Sequence, residues 1–133
     1  MEDRISVIVA GSRSIEEYDK TQHAIERTFE HAVEQSLAAD VLEVVSGTAD
    51  GPDSHGETWA SRRGVPVERF PADWDEHGKA AGPIRNQQMA EYADVLVAVW
   101  DGESSGTENM IDTALQEGLE VHVYQHRGLA RYE

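Results

Sequence analysis

Three short stretches of this chain have residue types and spacing suited to chemistry: Gly11-Ser-Arg-Ser14, Gly47-Thr-Ala-Asp-Gly-Pro-Asp53 and Asp101-Gly-Glu-Ser-Ser-Gly-Thr107. Each sets glycine among small hydroxyl, carboxylate or cationic residues. Glycine lets backbone amides approach a ligand closely. A helix that starts just after such a loop turns its free N–H groups toward the loop, which favours a bound anion. In the first stretch, Gly11 and Ser12 give the open backbone and Arg13 a cation able to grip phosphate or carboxylate with two donors; the alternative is a plain turn with a solvated arginine. In the second, Gly47 and Gly51 allow close approach. Asp53 either faces ribose hydroxyls or caps the following helix. In the third, Ser104, Ser105, Gly106 and Thr107 offer amides and hydroxyls to a phosphate. Arg85 and Asn86 read as the first turn of another helix, where a cation opposes the helix dipole. A binding site would explain that local cost. The formal net charge is −15, so a bound anion needs local positive groups, and Arg13, Lys79 and Arg85 are the candidates.

The elements around these loops follow from periodicity. Ile5–Ala10, Val41–Ser46, Val65–Phe70, Asp94–Trp100 and Glu120–Tyr124 read as strands. The run Val95-Leu-Val-Ala-Val99 is too apolar to alternate, which suits a strand buried on both faces. Tyr18, Ile25, Phe29, Val33 and Leu37 stripe a long helix from about Tyr18 to Ala38, ended by Ala39-Asp40. A second helix runs from Asp53 or Ser54 to Arg63 and stops at Gly64. A third covers Ile84–Ala93 after Pro83, and a fourth starts at Thr107 with Met110, Ile111, Ala114 and Leu115 on one face and stops at Gly118. Pro71–Pro83 reads as a long irregular connection. Pro66 puts the third strand at a sheet edge. Gln125–Glu133 reads as a tail. The alternation βαβαβαβαβ predicts an α/β, Rossmann-like, three-layer αβα domain spanning 1–133, with a five-stranded, mostly parallel sheet in the order 3-2-1-4-5. In that order all three glycine loops meet at the carboxyl edge, by the switch point between strands one and four.

Bulk properties narrow the function. With 26 acidic residues against 11 basic and only two lysines, Lys20 and Lys79, the chain lacks the basic surface that a nucleic-acid backbone requires. Dispersed acid with few lysines is the pattern of a protein adapted to high salt, where charges are screened within about 3 Å at 1 M; the alternative is an ordinary acidic protein at moderate salt. There is no cysteine, hence no disulfide or thiolate chemistry. No apolar run reaches the roughly 20 residues of a membrane helix, and the N-terminus does not read as a signal peptide. A cytoplasmic protein is expected. No P-loop and no GxGxxG are present. The six histidines show no metal-binding spacing. His77 is a possible ligand or proton-transfer residue. Trp74 and Trp100 are suited to stacking on a base, with core or subunit-interface packing as the competing role.

Taken together, GSR (11–13), SGTADGPD (46–53), the Trp59-Ala60 pair, FPADWDEHGKAAGPIRNQQM (70–89) and SGTENM (105–110) resemble the SLOG superfamily, and more closely its YspA/YpsA-like branch. The resemblance spans about Ile5 to Tyr124, and the run from 70 to 89 is its most specific part. It implies a Rossmann-like fold, a nucleotide or nucleotide-derived ligand, no separate cofactor, and a homo-oligomer. The superfamily also holds phosphoribohydrolases, which release a base from a nucleoside monophosphate, and DprA-type DNA-processing proteins. Matched to the hydrolases, their arginine before the central helix falls on Arg85, and the lysine that follows it is Asn86 here. Their glycine and threonine fall on Gly106 and Thr107. Their catalytic glutamate falls on Met110, which can move no proton, while Glu108 lies two residues away. The resemblance therefore implies a binding protein first. The alternative is a hydrolase using Arg85 with Glu108, Asp53 or Asp73.

Overall fold

The computed structural model describes residues 5–36 and 41–126. Five parallel strands form the sheet: β1 (Ile5–Gly11), β2 (Val41–Ser46), β3 (Val67–Arg69), β4 (Val95–Trp100) and β5 (Glu120–Gln125). Their order is β3-β2-β1-β4-β5, with every neighbouring pair parallel. The helices are α1 (Tyr18–Ser36), α2 (Pro52–Arg63), α3 (Trp74–His77), α4 (Ala81–Tyr92) and α5 (Ser105–Gln116), with a 3-10 turn at Gly78–Ala80. This is the Rossmann-like α/β fold and strand order that the alternation predicts. None of the described helices is long and apolar enough to cross a membrane.

Side chains of β1 alternate between two cores. Val7 and Val9 join Val44, Val97, Val99, Ile25, Trp59 and Ala60 beneath α1 and α2. Ile8 and Ala10 join Val45, Leu96, Ala98, Met89, Met110 and Ala114 beneath α4 and α5. A strand covered on both faces has no solvent side to fill with polar residues, so its sequence reads as an unbroken apolar run. β3 is the edge strand that Pro66 predicts, and it is short. Lacking an N–H, Pro66 contributes only its carbonyl, which accepts Val44 N at 2.9 Å.

Several expectations shift. Residues 71–83 are not an irregular connection: α3, the 3-10 turn and the first turn of α4 occupy most of them. α4 starts at Ala81, three residues before Ile84, so Arg85 lies in its second turn and does not oppose the dipole at the helix start. α5 begins at Ser105, so Ser105 and Gly106 lie inside its first turn. Leu115 is 58 % exposed, and the buried face of α5 runs instead through Thr107, Met110, Thr113 and Ala114. Gln125 is the last residue of β5, and the His126 amide donates to Trp100 O at 2.6 Å. Along α1, Tyr18, Ile25 and Phe29 face the core with Thr21, Ala24 and Thr28. The side chain of Val33, with Leu37–Asp40 and residues 127–133, lies outside the described residues.

Candidate functional site

The carboxyl edge of β1, β2 and β4 is held together by its own small residues. Gly11 ends β1 where a Cβ would stand 2.2 Å from Val99 O and 2.6 Å from Pro52 Cγ. Only glycine lets β4 and α2 close on this point. Ser12 is buried and serves as a strut: its amide donates to Val99 O at 3.0 Å, and its hydroxyl accepts the Asp101 amide at 3.1 Å and lies 3.3 Å from Thr107 Oγ1. Asp101 organises the loop before α5. Its Oδ1 accepts the Glu103 and Ser104 amides, both at 2.8 Å, and its Oδ2 accepts the Ser14 hydroxyl at 2.8 Å. Burial pushes the Asp101 carboxyl up, but these donors outweigh it and hold the group below its usual value.

The loop after β2 is built around a buried carboxyl. A Cβ on Gly47 would meet Arg85 Nη1 at 2.6 Å and Asp53 Oδ2 at 2.9 Å, so a side chain there would push the ends of both away. Thr48 sits at φ 67°, a left-handed conformation that costs a β-branched residue energy. Gly51, at φ 81°, precedes α2, and a Cβ there would stand 3.0 Å from Ser12 O. Asp53 does not cap α2. It lies in the first turn, 5 % exposed, and its Oδ2 accepts the Ala49 amide at 3.2 Å. Burial pushes its carboxyl up to about 6, against the lowering pull of the Ala49 and Gly11 amides and Arg85, while Glu57 adds to the rise.

Arg85 crosses from α4 onto this loop. Its Nη1 donates to Gly47 O and its Nε to Asn86 Oδ1 at 3.1 Å. Burial pulls the guanidinium below the usual arginine value; Asp53 opposes that pull and Arg13 adds to it. Asn86 is buried and joins α4 to α5, donating to Asn109 Oδ1 at 2.9 Å and Gly106 O at 3.4 Å.

These loops surround a cavity of about 570 Å³. Of the residues singled out in the sequence, Gly11, Arg13, Asp53, Lys79, Arg85, Asn86, Ser105, Gly106 and Thr107 line it. Ser12, Gly47 and Gly51 are not among the lining residues and pack the loops behind it. Gly106 has nothing within 4 Å of where a Cβ would be, so the start of α5 is open. Of the carboxylates considered as acids, only Asp53 lines the cavity. Glu108 is exposed on α5, and Asp73 caps α3 by accepting the Glu76 amide at 3.1 Å. His77 is exposed and outside the lining, whereas Trp74 is part of it. Trp100 donates its indole N–H to Ser104 O at 3.1 Å and so braces the α5 loop. Sequence reasoning placed Asp101 in the third loop without giving it a role and missed Asn109 and Met89 as lining residues. The Asp-Gly-x-Ser pattern at 101–104, an aspartate positioned to accept amides two and three residues on, is the signal that gives Asp101 its role.

The arrangement can neutralise and hydrogen-bond an anion. Arg13 and Lys79 make no hydrogen bond or ion pair among the described residues. Arg85 has one amino group without a partner among them. The amide end of a 12-residue helix opens onto the same space. The model of the YspA, cpYpsA-related SLOG family matches residues 5–77. The chain is also 40 % identical, over 86 residues, to the "Gene 61 protein" of Mycobacterium phage D29, an alignment that takes in 60 % of this chain and 69 % of the phage protein. No solved structure matches the chain.

Proposed function

The chain belongs to the YspA, cpYpsA-related SLOG family, and from that premise we propose that it binds a nucleotide or nucleotide-derived ligand in the cavity at the carboxyl edge of the sheet. The observation that carries the reading is the meeting of the open start of α5 with Arg13 and Arg85 on one cavity beside the β1–β4 switch point. In a chain of net charge −15, cations gathered at one cavity favour an anionic group there. The phosphate faces the Ser105 and Gly106 amides, with Arg85 and Arg13 as counter-charges and Thr107 as a hydroxyl donor. A protein of this kind serves as a sensor or signalling module.

Asp53 favours a second reading in the same cavity, a phosphoribohydrolase. With its carboxyl pushed up to about 6, Asp53 holds a proton near neutral pH more readily than an ordinary aspartate. In that reaction the C1′–N bond breaks, the base nitrogen takes the Asp53 proton, water adds OH to C1′, and the remaining water proton returns to Asp53.

One experiment separates them. The protein is incubated in 2 M salt with AMP, GMP, CMP and UMP, and heat of binding and free base are both measured. Binding without base release supports the sensor; base release that Asp53→Asn abolishes establishes the hydrolase; no binding to any of the four overturns both. Arg85→Ala is expected to weaken binding by about 2 kcal/mol, roughly 30-fold, as for loss of a charge-assisted hydrogen bond.

A further inference from the structure

Residues 71–80 are ordered without burying a side chain. Asp73 caps α3, the Gly78 amide donates to Trp74 O, and a 3-10 turn leads into α4, yet neither short element contains a buried residue. What the segment does is carry Trp74 and Lys79 to the cavity wall. Trp74 is 52 % exposed, and its ring lies against α4, with Cη2 3.5 Å from where a Cβ on Gly82 would stand. The other two tryptophans have internal partners. Trp59 is buried and stacks on Phe29 with centroids 5.9 Å apart, and Trp100 is tied to Ser104 O. A large aromatic surface left half in water on a cavity wall has about half of its burial energy still to gain. A flat π-system laid against it gains that energy from both sides.

We infer that Trp74 is the stacking platform for the base of the bound nucleotide. The inference rests on the nucleotide reading of the cavity and adds the end at which the base lies. Stacking tolerates any base but rewards a larger ring system, so purine nucleotides bind more tightly than pyrimidine ones. Lys79, five residues on, stands on the same wall and adds a cation near the ligand without reading the base.

The test compares ligands with and without a base. Calorimetry is run with AMP, CMP and ribose 5-phosphate on the wild-type protein, Trp74→Ala and Trp74→Phe, with tryptophan fluorescence, circular dichroism and light-scattering mass recorded for each. Binding of AMP is expected to quench fluorescence. Trp74→Ala is expected to weaken AMP binding about tenfold and CMP binding less, with ribose 5-phosphate unchanged, whereas Trp74→Phe keeps most of the affinity. Equal loss for AMP and ribose 5-phosphate, or no loss for AMP, overturns the assignment. A change in mass with AMP affinity intact also overturns it and makes Trp74 a subunit contact. If neither AMP nor ribose 5-phosphate binds the wild-type protein, the nucleotide reading itself falls. If both bind equally and Trp74→Ala changes neither, only the stacking falls.

Discussion

At the amino-terminal end of the sheet Asp94 Oδ2 accepts the Ser6 amide at 2.9 Å, the Ser6 hydroxyl donates to Glu43 Oε2 at 2.7 Å, and Tyr92 donates to the same Glu43 oxygen. At the carboxyl end Arg13 and Lys79 have no partner among the described residues, and the start of α5 opens onto a cavity. Both ends bring polar side chains to strand termini, where the ladder runs out and backbone groups need partners. One end matches them internally and so gains only stability. The other leaves donors unmatched beside a carboxyl that burial pushes up. A protein keeps such a cost where a ligand offsets it. The contrast also separates two uses of glycine. Gly11 and Gly47 make room for protein atoms, whereas nothing of the described protein stands within 4 Å of where a Cβ on Gly106 would be.

The largest expected effect breaks the carboxyl end from behind. Gly11→Ala puts a methyl into the backbone oxygen of Val99 and the ring of Pro52, neither of which is a flexible side-chain end. Overpacking of this kind is expected to cost about 3 kcal/mol of unfolding free energy. Urea denaturation measures it. A loss near zero would mean that the β1–α2 junction can spread, and the cavity wall with it.

The second effect sharpens the contrast through pH. The Asp53 carboxyl rises from the ordinary aspartate value to about 6 on folding. Between those two values the native state holds the proton that the unfolded chain has already lost, so unfolding free energy falls as pH rises from about 4 to about 6. The full loss is on the order of 3 kcal/mol. His55, whose imidazole burial pushes below its usual value, acts oppositely: it takes stability away as pH falls below 6.5. The difference between wild type and Asp53→Asn in urea titrations from pH 4 to 7 isolates Asp53. The expected result is a falling wild-type curve relative to the variant. Parallel curves would show that the carboxyl is solvated, and with it the cavity floor.

These experiments probe parts of the molecule that were unequally legible in the sequence. Strands β1 and β4 announce themselves because both faces are covered, so apolar residues run without a break. The glycine loops could be placed on one edge because topology alone decides that. The burial of Asp53 could not be foreseen, since an aspartate after Gly-Pro looks like a cap, and only the fold shows Gly51 taking that role. Residues 74–80 hid their helical turns for a physical reason: they bury nothing, so they carry no apolar period to read. Thr21 and Thr28 hid in the same way on α1, because their burial depends on partners distant in sequence, His55 at 2.9 Å and Tyr124 at 2.7 Å. Leu115 misled in the opposite direction: its spacing fits the helical face, but α5 is turned so that Thr107 and Thr113 face inward and Leu115 outward.

The smallest expected effect tests whether the amino-terminal end is as inert as its matched hydrogen bonds imply. The Glu43 carboxylate that accepts the Tyr92 phenol also pushes that phenol up to about 12, so the proton stays in place through the whole working range. Tyr92→Phe removes the hydroxyl but keeps the ring against Phe70, 5.3 Å between centroids. Glu43 keeps the Ser6 hydroxyl, and it regains water where the phenol stood because Tyr92 is exposed. Unfolding free energy is therefore expected to fall by less than about 1 kcal/mol, the ordinary net worth of one such bond. Affinity for AMP is expected not to change. A drop in affinity without a matching drop in stability would show that the two ends are coupled through β1 and β4, and that a matched cluster at a strand start can still set the geometry of the loops at the strand end.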